Sequence, residues 1–515
     1  MNKFLYIFTL AGIMMVGSSC QDELETSPTN QVPSEDVFVS ATTAQTALDG
    51  IYRMMYTPGW SQGWGSENPG QMGIVLMADL MGEDHVMLEQ GQGWFYEDYR
   101  LNVHGDYISK AGRSYSVWNL YYTLINNANQ VIASEKKLND DAAAIKRVVG
   151  QAYAMRAFCY QYLIQLYQQT YKGHESAPGV PLYTEPTVIG SEGKGRGTVQ
   201  DVYDLINKDL QTAADYLEGQ PQKYISHVDY YIAKGMQARS FLIQHRYEEA
   251  AAAAAEALKK PGLQLITVKD LGGNNNIDVK NAMWGVKVIP DQSAGFPGFF
   301  SHMDADAVGL YGSKARKCIS SALYNMMSET DTRHDWFRGK LEKDQEERGN
   351  SMASYCQLKF KMANYETRIG DHIFMRAEEM VLIKAEAECH QGKYEEARAT
   401  LKEFGELRDP AFAERLAART DANTYNTNTN APLVTLMDEI LFQRRIELWG
   451  ESGRIFDLQR LGLGYTRAYE GSNHTQTVNT KNTDTASPLF ILPLPQSEID
   501  GNENITEADQ NPIVH

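Results

Sequence analysis

Two glycine-broken stretches of this chain bring large rings close to amides and carboxylates. Residues 57–113 alternate glycine with aromatics at Trp60, Trp64, Trp94, Tyr96 and Tyr99. Residues 284–300 repeat the pattern at Trp284, Phe296 and Phe299. Gln62, Asn68, Gln92, Glu97 and Asp98 stand among the first set. Flat rings stack on the apolar C–H faces of a neutral sugar, while amides and carboxylates take its hydroxyls. The combination predicts a binding surface for a hydroxyl-rich ligand, with glycine letting the backbone turn and expose neighbouring rings. The competing expectation is that the rings simply pack loops onto a scaffold, the commoner fate of any single aromatic side chain.

Catalysis has less support. Glu83-Asp84 and Glu97-Asp98 are carboxylate pairs of the kind a glycosidase uses. That chemistry needs two carboxyls about 5 or 6.5–9.5 Å apart across a sugar, a distance that adjacency in sequence does not set. Neither H-E-x-x-H nor a Walker A loop occurs, and no enzymatic activity is expected. Glu83, Asp84 and His85 are metal-ligating types, but no second cluster joins them, so no metal and no cofactor are expected. Cys159, Cys318, Cys356 and Cys389 each lie alone in or beside apolar segments and read as buried free thiols.

Composition narrows the partners. Of 515 residues, 43% are apolar, enough for a substantial core, and 66 acids against 48 bases leave a formal charge of −18. No basic stripe is visible, which argues against a nucleic-acid partner.

The elements that must position the rings are helical. Ala44, Leu48, Ile51 and Met55 mark a first helix, and Trp118, Tyr121, Tyr122, Ile125 and Ile132 form the stripe of another. Ile145 to Leu166 and Val199 to Leu217 follow, the latter with Thr198 as a candidate cap. An internal repeat then appears. His245-Arg246-Tyr247-Glu248-Glu249-Ala250 and Gly392-Lys393-Tyr394-Glu395-Glu396-Ala397 each join two helices through a tight turn, in the manner of tetratricopeptide hairpins. The fold class is therefore all-α: a tetratricopeptide-like scaffold of helix pairs with long inserted loops and a few short strands, one of them at Trp284–Pro290.

Near the C-terminus Arg444-Arg445-Ile446-Glu447-Leu448-Trp449-Gly450-Glu451-Ser452-Gly453-Arg454-Ile455-Phe456-Asp457-Leu458-Gln459-Arg460 threads charges through large apolar residues. Pro432 can open the preceding helix. Glu447 can reach Arg444 at i−3, and Glu451 and Asp457 lie close to Arg454 and Arg460 across the Gly453 break. An unpaired charge in such surroundings is costly, so the run reads as a structural clamp rather than an active site.

The N-terminus carries Lys3, an apolar run from Phe4 to Val16, and Gly17-Ser18-Ser19 before Cys20. The run is shorter than the ~20 residues that span a bilayer, and it suits a secretory signal. Together with Cys20 it resembles a bacterial lipoprotein processing site, at which the cysteine is lipidated. Gln21-Asp22-Glu23-Leu24-Glu25 resembles an acidic surface-export tag.

The C-terminal run resembles the signature of the SusD/RagB family of outer-membrane nutrient-binding lipoproteins. Arg444, Arg445, Glu447, Leu448, Glu451, Arg454, Asp457, Leu458 and Arg460 fit it, while Ser452 and Leu461 depart from the usual glycine and tryptophan. Gly179-Val180-Pro181-Leu182 and the closing segment from Leu489 to Asp500 fit as well. The resemblance implies a signal peptide at 1–19, an acylated tether at 20–40 and an N-terminal helical region at 41–260 containing the 57–113 loop. It implies a C-terminal region at 261–515 with an insertion at 261–370. It also implies a lipid-anchored, surface-facing protein of the outer membrane that touches the membrane only through its anchor. Such a protein captures a glycan or oligosaccharide and delivers it to a SusC-like TonB-dependent outer-membrane transporter. Peptide capture on the same architecture, a surface glycosidase and a scaffold that binds no ligand remain alternatives.

Overall fold

A computed structural model of the chain describes residues 38–60, 65–342, 353–475, 481–482 and 485–514. The first described helix, α1 (Ala41–Met54), starts where Ser40 and Thr43 cap each other in a capping box. Helix α2 (Gln71–Leu80) is buried at every position, as a helix that is apolar all round must be. Strand β1 (His85–Met87) and the one-turn α3 (Tyr96–Arg100) follow, then the long α4 (Arg113–Ala133) and α5 (Ala142–Tyr167). Strands β2 (Pro178–Pro181) and β3 (Arg196–Thr198) pair antiparallel and close the loop between α5 and α6 (Val199–Leu217). Thr198 caps α6 as expected, in a box with Asp201.

The repeat is real in space. Helices α7 (Tyr230–Ile243) and α8 (Tyr247–Ala257) form one hairpin, and α9 (Ala377–His390) and α10 (Tyr394–Glu406) form the other. In each, the Tyr of Tyr-Glu-Glu-Ala is the first residue of the second helix. The two hairpins are far apart in sequence yet pack directly, with α8 against α9. Tyr247 stacks on His390 at 4.0 Å, and Gln391 donates to the Tyr247 carbonyl at 3.1 Å. The insertion between them leaves the array at the Leu258 end of α8 and returns through strand β6 (His372–Arg376), which runs straight into α9.

Two antiparallel pairs tie this insertion down. Strand β4 (Ala282–Val286) pairs with β6, setting Val286 opposite His372, and β5 (Lys317–Ile319) pairs with β1, setting His85 opposite Ile319. The strand expected near Trp284 is therefore present, as the shorter β4. The β1–β5 pair joins the 57–113 segment to the insertion. One continuous apolar cluster reaches from Ala41 to Ile505.

Helices α11 (Leu436–Glu447) and α12 (Arg454–Arg460) carry the charged C-terminal run. Thr435, not Pro432, opens α11, because Thr435 and Asp438 form a capping box. The ion pairs also differ from the local ones expected. Glu447 turns away from Arg444 to meet Arg408 at 2.8 Å and Arg376 at 3.1 Å. Arg444 pairs with Asp457 at 2.9 Å, and Arg460 holds both Asp457 and Glu386. Glu451 meets Arg376 at 2.7 Å and Lys359 at 2.5 Å. Arg445 reaches Asp84 at 2.6 Å, and Arg454 reaches Glu83 at 2.8 Å. A buried charge takes whichever opposite charge gives the best geometry; Arg460 keeps the expected local partner, Asp457, at 2.8 Å, and the other partners come from other elements. Gly453 opens α12 with φ 76°, and a Cβ there would stand 2.7 Å from the Phe456 ring and 3.0 Å from Ala78. The turn requires glycine at 453, so Ser452 can occupy the preceding position.

Candidate functional site

A cleft of about 320 Å3 opens in the 65–113 segment, with Glu67, Asn68, Gln92, Glu97, Asp98 and Arg113 among its lining residues. Four of the five polar residues expected to serve a ligand thus share one cleft; Gln62 lies outside the described residues. Asp98 and Arg113 form its floor. Arg113 donates to both Asp98 carboxylate oxygens, at 2.9 and 2.7 Å, and to the Glu67 carbonyl at 2.8 Å. Charges paired this fully hold the walls in place and leave the ligand to the other groups. Burial pushes the Glu67 carboxyl upward, partly offset by Arg113. Asp106, a further wall residue, is also raised, by burial and then by Glu97 and Asp98. Glu97 stays half-exposed, braced by Asn102 at 2.6 Å and Arg100 at 3.4 Å.

The cleft wall is held under strain. Phe95 and Leu101 bracket α3 with φ of 60° and 59°, left-handed conformations that cost non-glycine residues ~1–3 kcal/mol each. Phe95 is locked there by its ring, which lies edge-on to His302 at 5.0 Å and 4.9 Å from the Arg113 guanidinium. Gly91 makes the turn below, at φ 59°, with Ala315 and the Trp94 ring so close that a Cβ would meet them at 3.1 and 3.2 Å.

Beyond the wall at Gly93 a ledge of rings begins. Trp94 packs on Tyr311 at 4.2 Å, and Phe296 lies 6.3 Å from Tyr311. Phe296 is 46% exposed, and the Arg368 guanidinium stands 4.3 Å from its ring centre. Ser293 donates to the Thr367 carbonyl at 2.8 Å, tying the Phe296 loop to the Arg368 loop. The two aromatic stretches thus meet through Tyr311.

Most individual rings, however, do not face outward. Trp284 is fully buried, donates its indole N–H to the Ser226 carbonyl at 2.9 Å, and packs between Phe158 and Phe374. Phe299 lies among Phe300, Phe360 and His372. Tyr99 is buried, with its hydroxyl at 2.8 Å from His474 and its ring beside Arg467. Trp94 and Tyr96 are each only 7% exposed. These five are packing residues in this structure, because an aromatic side chain gains most by burying its whole surface. Trp60 is half-buried, its N–H spent on the Thr57 carbonyl at 2.8 Å, and Trp64 lies outside the described residues. Among the described candidate rings, the exposed one is Phe296. Sequence reading overlooked Tyr311 and Arg368, although Gly309-Leu310-Tyr311-Gly312 shows the same glycine–aromatic alternation.

The other candidate chemistry is absorbed by structure. Glu83 and Asp84 are held by Arg454 and Arg445, and His85 stacks on Trp449 at 3.6 Å. Among the described residues no three His, Cys, Asp or Glu are placed to share a metal ion. Gly59, Ser61 and Gly63 match the G-x-S-x-G spacing; Ser61 and Gly63 lie outside the described residues, and the element before them is helix α1, where a nucleophile elbow follows a strand. Cys159, Cys318, Cys356 and Cys389 are buried free thiols. Cys20 lies outside the described residues. Among those described, no helix is long and apolar enough to cross a membrane.

Two family profiles match the chain. One, described as the SusD family, covers residues 303–513; the other, described as starch-binding associating with outer membrane, covers 25–242. The chain belongs to the SusD/RagB family. Its C-terminal charged helices, α11 and α12, fall within the first match. A SusD-like protein of Formosa agariphila is 23% identical, over 98% of this chain and 99% of the relative. A SusD superfamily protein of Bacteroides thetaiotaomicron is similar at TM-score 0.76 and 22% identity, covering 92% of this chain and 100% of that one. A SusD-like carbohydrate binding protein of Bacteroides vulgatus is similar at TM-score 0.74 and 22% identity, covering 92% and 98%. These solved structures share the helical fold.

Proposed function

We propose that this SusD/RagB protein captures neutral oligosaccharides in the loop cleft, without turnover, and delivers them to a TonB-dependent transporter of the outer membrane. One observation carries the reading: an exposed ring, Phe296, on the ledge beyond a cleft whose lining includes Gln92, Asp106 and the half-exposed Glu97. The family description as starch-binding, and the carbohydrate-binding relative from Bacteroides vulgatus, support the ligand class. The family's association with the outer membrane, together with the lipoprotein-like N-terminus ending at Cys20, supports an anchor of acyl chains facing the cell surface.

The affinity follows from few contacts. One or two stacked rings at ~0.5–1.5 kcal/mol and three or four hydrogen bonds of ~1 kcal/mol give roughly −4 to −7 kcal/mol. That corresponds to dissociation constants from about millimolar to about ten micromolar, weak enough for release to a transporter. Calorimetric titration with neutral oligosaccharides of different linkage, and with short peptides alongside, tests this. Saturable binding of at least one oligosaccharide is expected, weakened about tenfold in Phe296→Ala and in Gln92→Ala, with no hydrolysis product. Variants that bind like the parent would move the site elsewhere. Binding of peptides alone would replace the ligand class, and released sugar would replace the binding role with a catalytic one.

A further inference from the structure

Helix α4 turns an aromatic face toward a second concavity, apart from the loop cleft. Tyr115, Trp118, Asn119, Tyr122, Thr123 and Asn126 recur along one side of it. A helix face with rings at this spacing is ordinarily covered. Here the segments opposite, at Tyr183 and Thr187 and at Ser497 and Glu498, stand off and leave a cavity of about 410 Å3. That is within the ~300–1,000 Å3 typical of small-ligand sites.

The cavity is built rigidly. Trp118 donates its indole N–H to Glu498 at 3.2 Å and is wedged between Tyr122 at 4.6 Å and Tyr167 at 4.9 Å. Tyr122 donates its hydroxyl to the Pro181 carbonyl at 2.8 Å, and the Tyr183 hydroxyl accepts from the Lys194 amide at 3.1 Å. The ring tips are thereby fixed. Each rim amide is half engaged: Asn119 donates to the Trp60 carbonyl at 3.1 Å, and Asn126 accepts from the Thr187 amide at 2.7 Å. This leaves the Asn119 oxygen as an acceptor and the Asn126 nitrogen as a donor for a bound molecule.

We infer that this α4 cavity is a second binding site, for a neutral saccharide. Its lining holds no Lys or Arg, so an anion finds no counter-charge there, and the oxygens of its one carboxylate, Glu498, accept the Trp118 N–H at 3.2 Å and the Asn502 amide at 2.8 Å. Rings beneath amides and hydroxyls match a ligand with apolar faces and a hydroxyl rim. Lys110 and Lys194 lie 5.8 and 5.7 Å from the Tyr115 and Tyr183 ring centres, as long exposed side chains that can swing aside. The inference rests on this geometry and does not require the loop-cleft reading.

The test uses the mature protein labelled with 5-fluorotryptophan, whose seven tryptophans give separate fluorine resonances. Trp118→Phe and Trp94→Phe assign the two that matter. Maltotetraose, cellotetraose, xylotetraose and mannotetraose are each titrated to about 10 mM, the range of weak single-site binding. At least one should shift the Trp118 resonance saturably. Asn126→Ala and Tyr115→Ala, each checked for an unchanged melting midpoint, should raise that dissociation constant at least about fivefold, the worth of one hydrogen bond. Should one variant melt early, the other carries the comparison. A silent Trp118 with every probe overturns the inference, even where Trp94 responds and the loop cleft stands. A Trp118 response with Trp94 silent supports it and counts against the loop cleft. Equal shifts from glucose 6-phosphate or tetraalanine would overturn the assigned ligand class.

Discussion

At the scale of single residues, the charges at the C-terminus fix the fold rather than do chemistry. Arg454 and Glu83 expose only 6% and 1% of their side chains and meet at 2.8 Å, which joins the turn after α2 to the start of α12. Burial pushes the Glu447 carboxyl up, yet Arg408, Arg376 and Arg333 more than reverse this and hold it well below the usual carboxylate range. Removing one partner strands the other in a medium that cannot solvate it. Arg454→Ala should therefore lower stability by about 3–5 kcal/mol, whereas Arg100→Ala, at a pair nearly 40% exposed, should change it by less than ~0.5 kcal/mol. Denaturant midpoints of the two variants decide this; equal values would remove the clamp role from Arg454.

At the scale of elements, the site depends on turns that glycine makes possible. Gly91 lets the chain pass under the Trp94 ring, and the cleft wall from Gln92 to Asp98 hangs on that turn. Gly91→Ala should cost about 1–2 kcal/mol for the left-handed backbone and should weaken oligosaccharide binding several-fold more than it shifts melting. If calorimetry shows parental affinity, the turn does not position the wall. The paired hairpins behave differently. Tyr247 and Tyr394 begin equivalent helices, and the direct packing of α8 on α9 rebuilds in space an array that the insertion interrupts in sequence. Such a scaffold tolerates a long insertion because only its two ends must return to neighbouring helices.

At the scale of the whole molecule, buried histidines make stability depend on pH. Burial lowers His372 to about 4 and His474 to about 3, and lowers His245 and His390 as well. In the unfolded chain these rings titrate near 6.5. Between that value and about 4 the unfolded state binds more protons than the folded one, so stability falls as pH falls through the window. His372 alone should account for about 1–3 kcal/mol of the loss. His372→Gln should flatten the melting-midpoint profile between pH 6.5 and 4; a parental slope would show that His372 is not the group titrating. Below pH 4.5 a second loss should follow, since Glu451 and Asp457 are also held below their usual range against the cost of burial, chiefly by Arg376 and by Arg444 respectively. At the other end of the chain, Cys20→Ala should leave the protein unlipidated and release it from sedimented membranes. Full retention would dismiss the acyl anchor, because nothing apolar in the tether replaces it.

Local sequence patterns decided the scaffold. Apolar periodicity marked the helices, Thr198 their capping, Tyr-Glu-Glu-Ala the paired turns, and the charged C-terminal run the family, because each is a contact between neighbours in sequence or a spacing along one helix. Even the two loops that build the candidate site were legible from glycine beside large rings. What stayed hidden was which way each ring faces. Trp284 and Phe296 read alike in sequence, yet one is enclosed by Phe158 and Phe374 and the other stands free beside Arg368. Burial depends on what arrives from distant segments, as do the partners of Glu447 and Arg454. The aromatic face of α4 was legible as a stripe, but only the tertiary structure separated Tyr121, which turns inward to Gln71, from Trp118 and Tyr122, which line an open cavity.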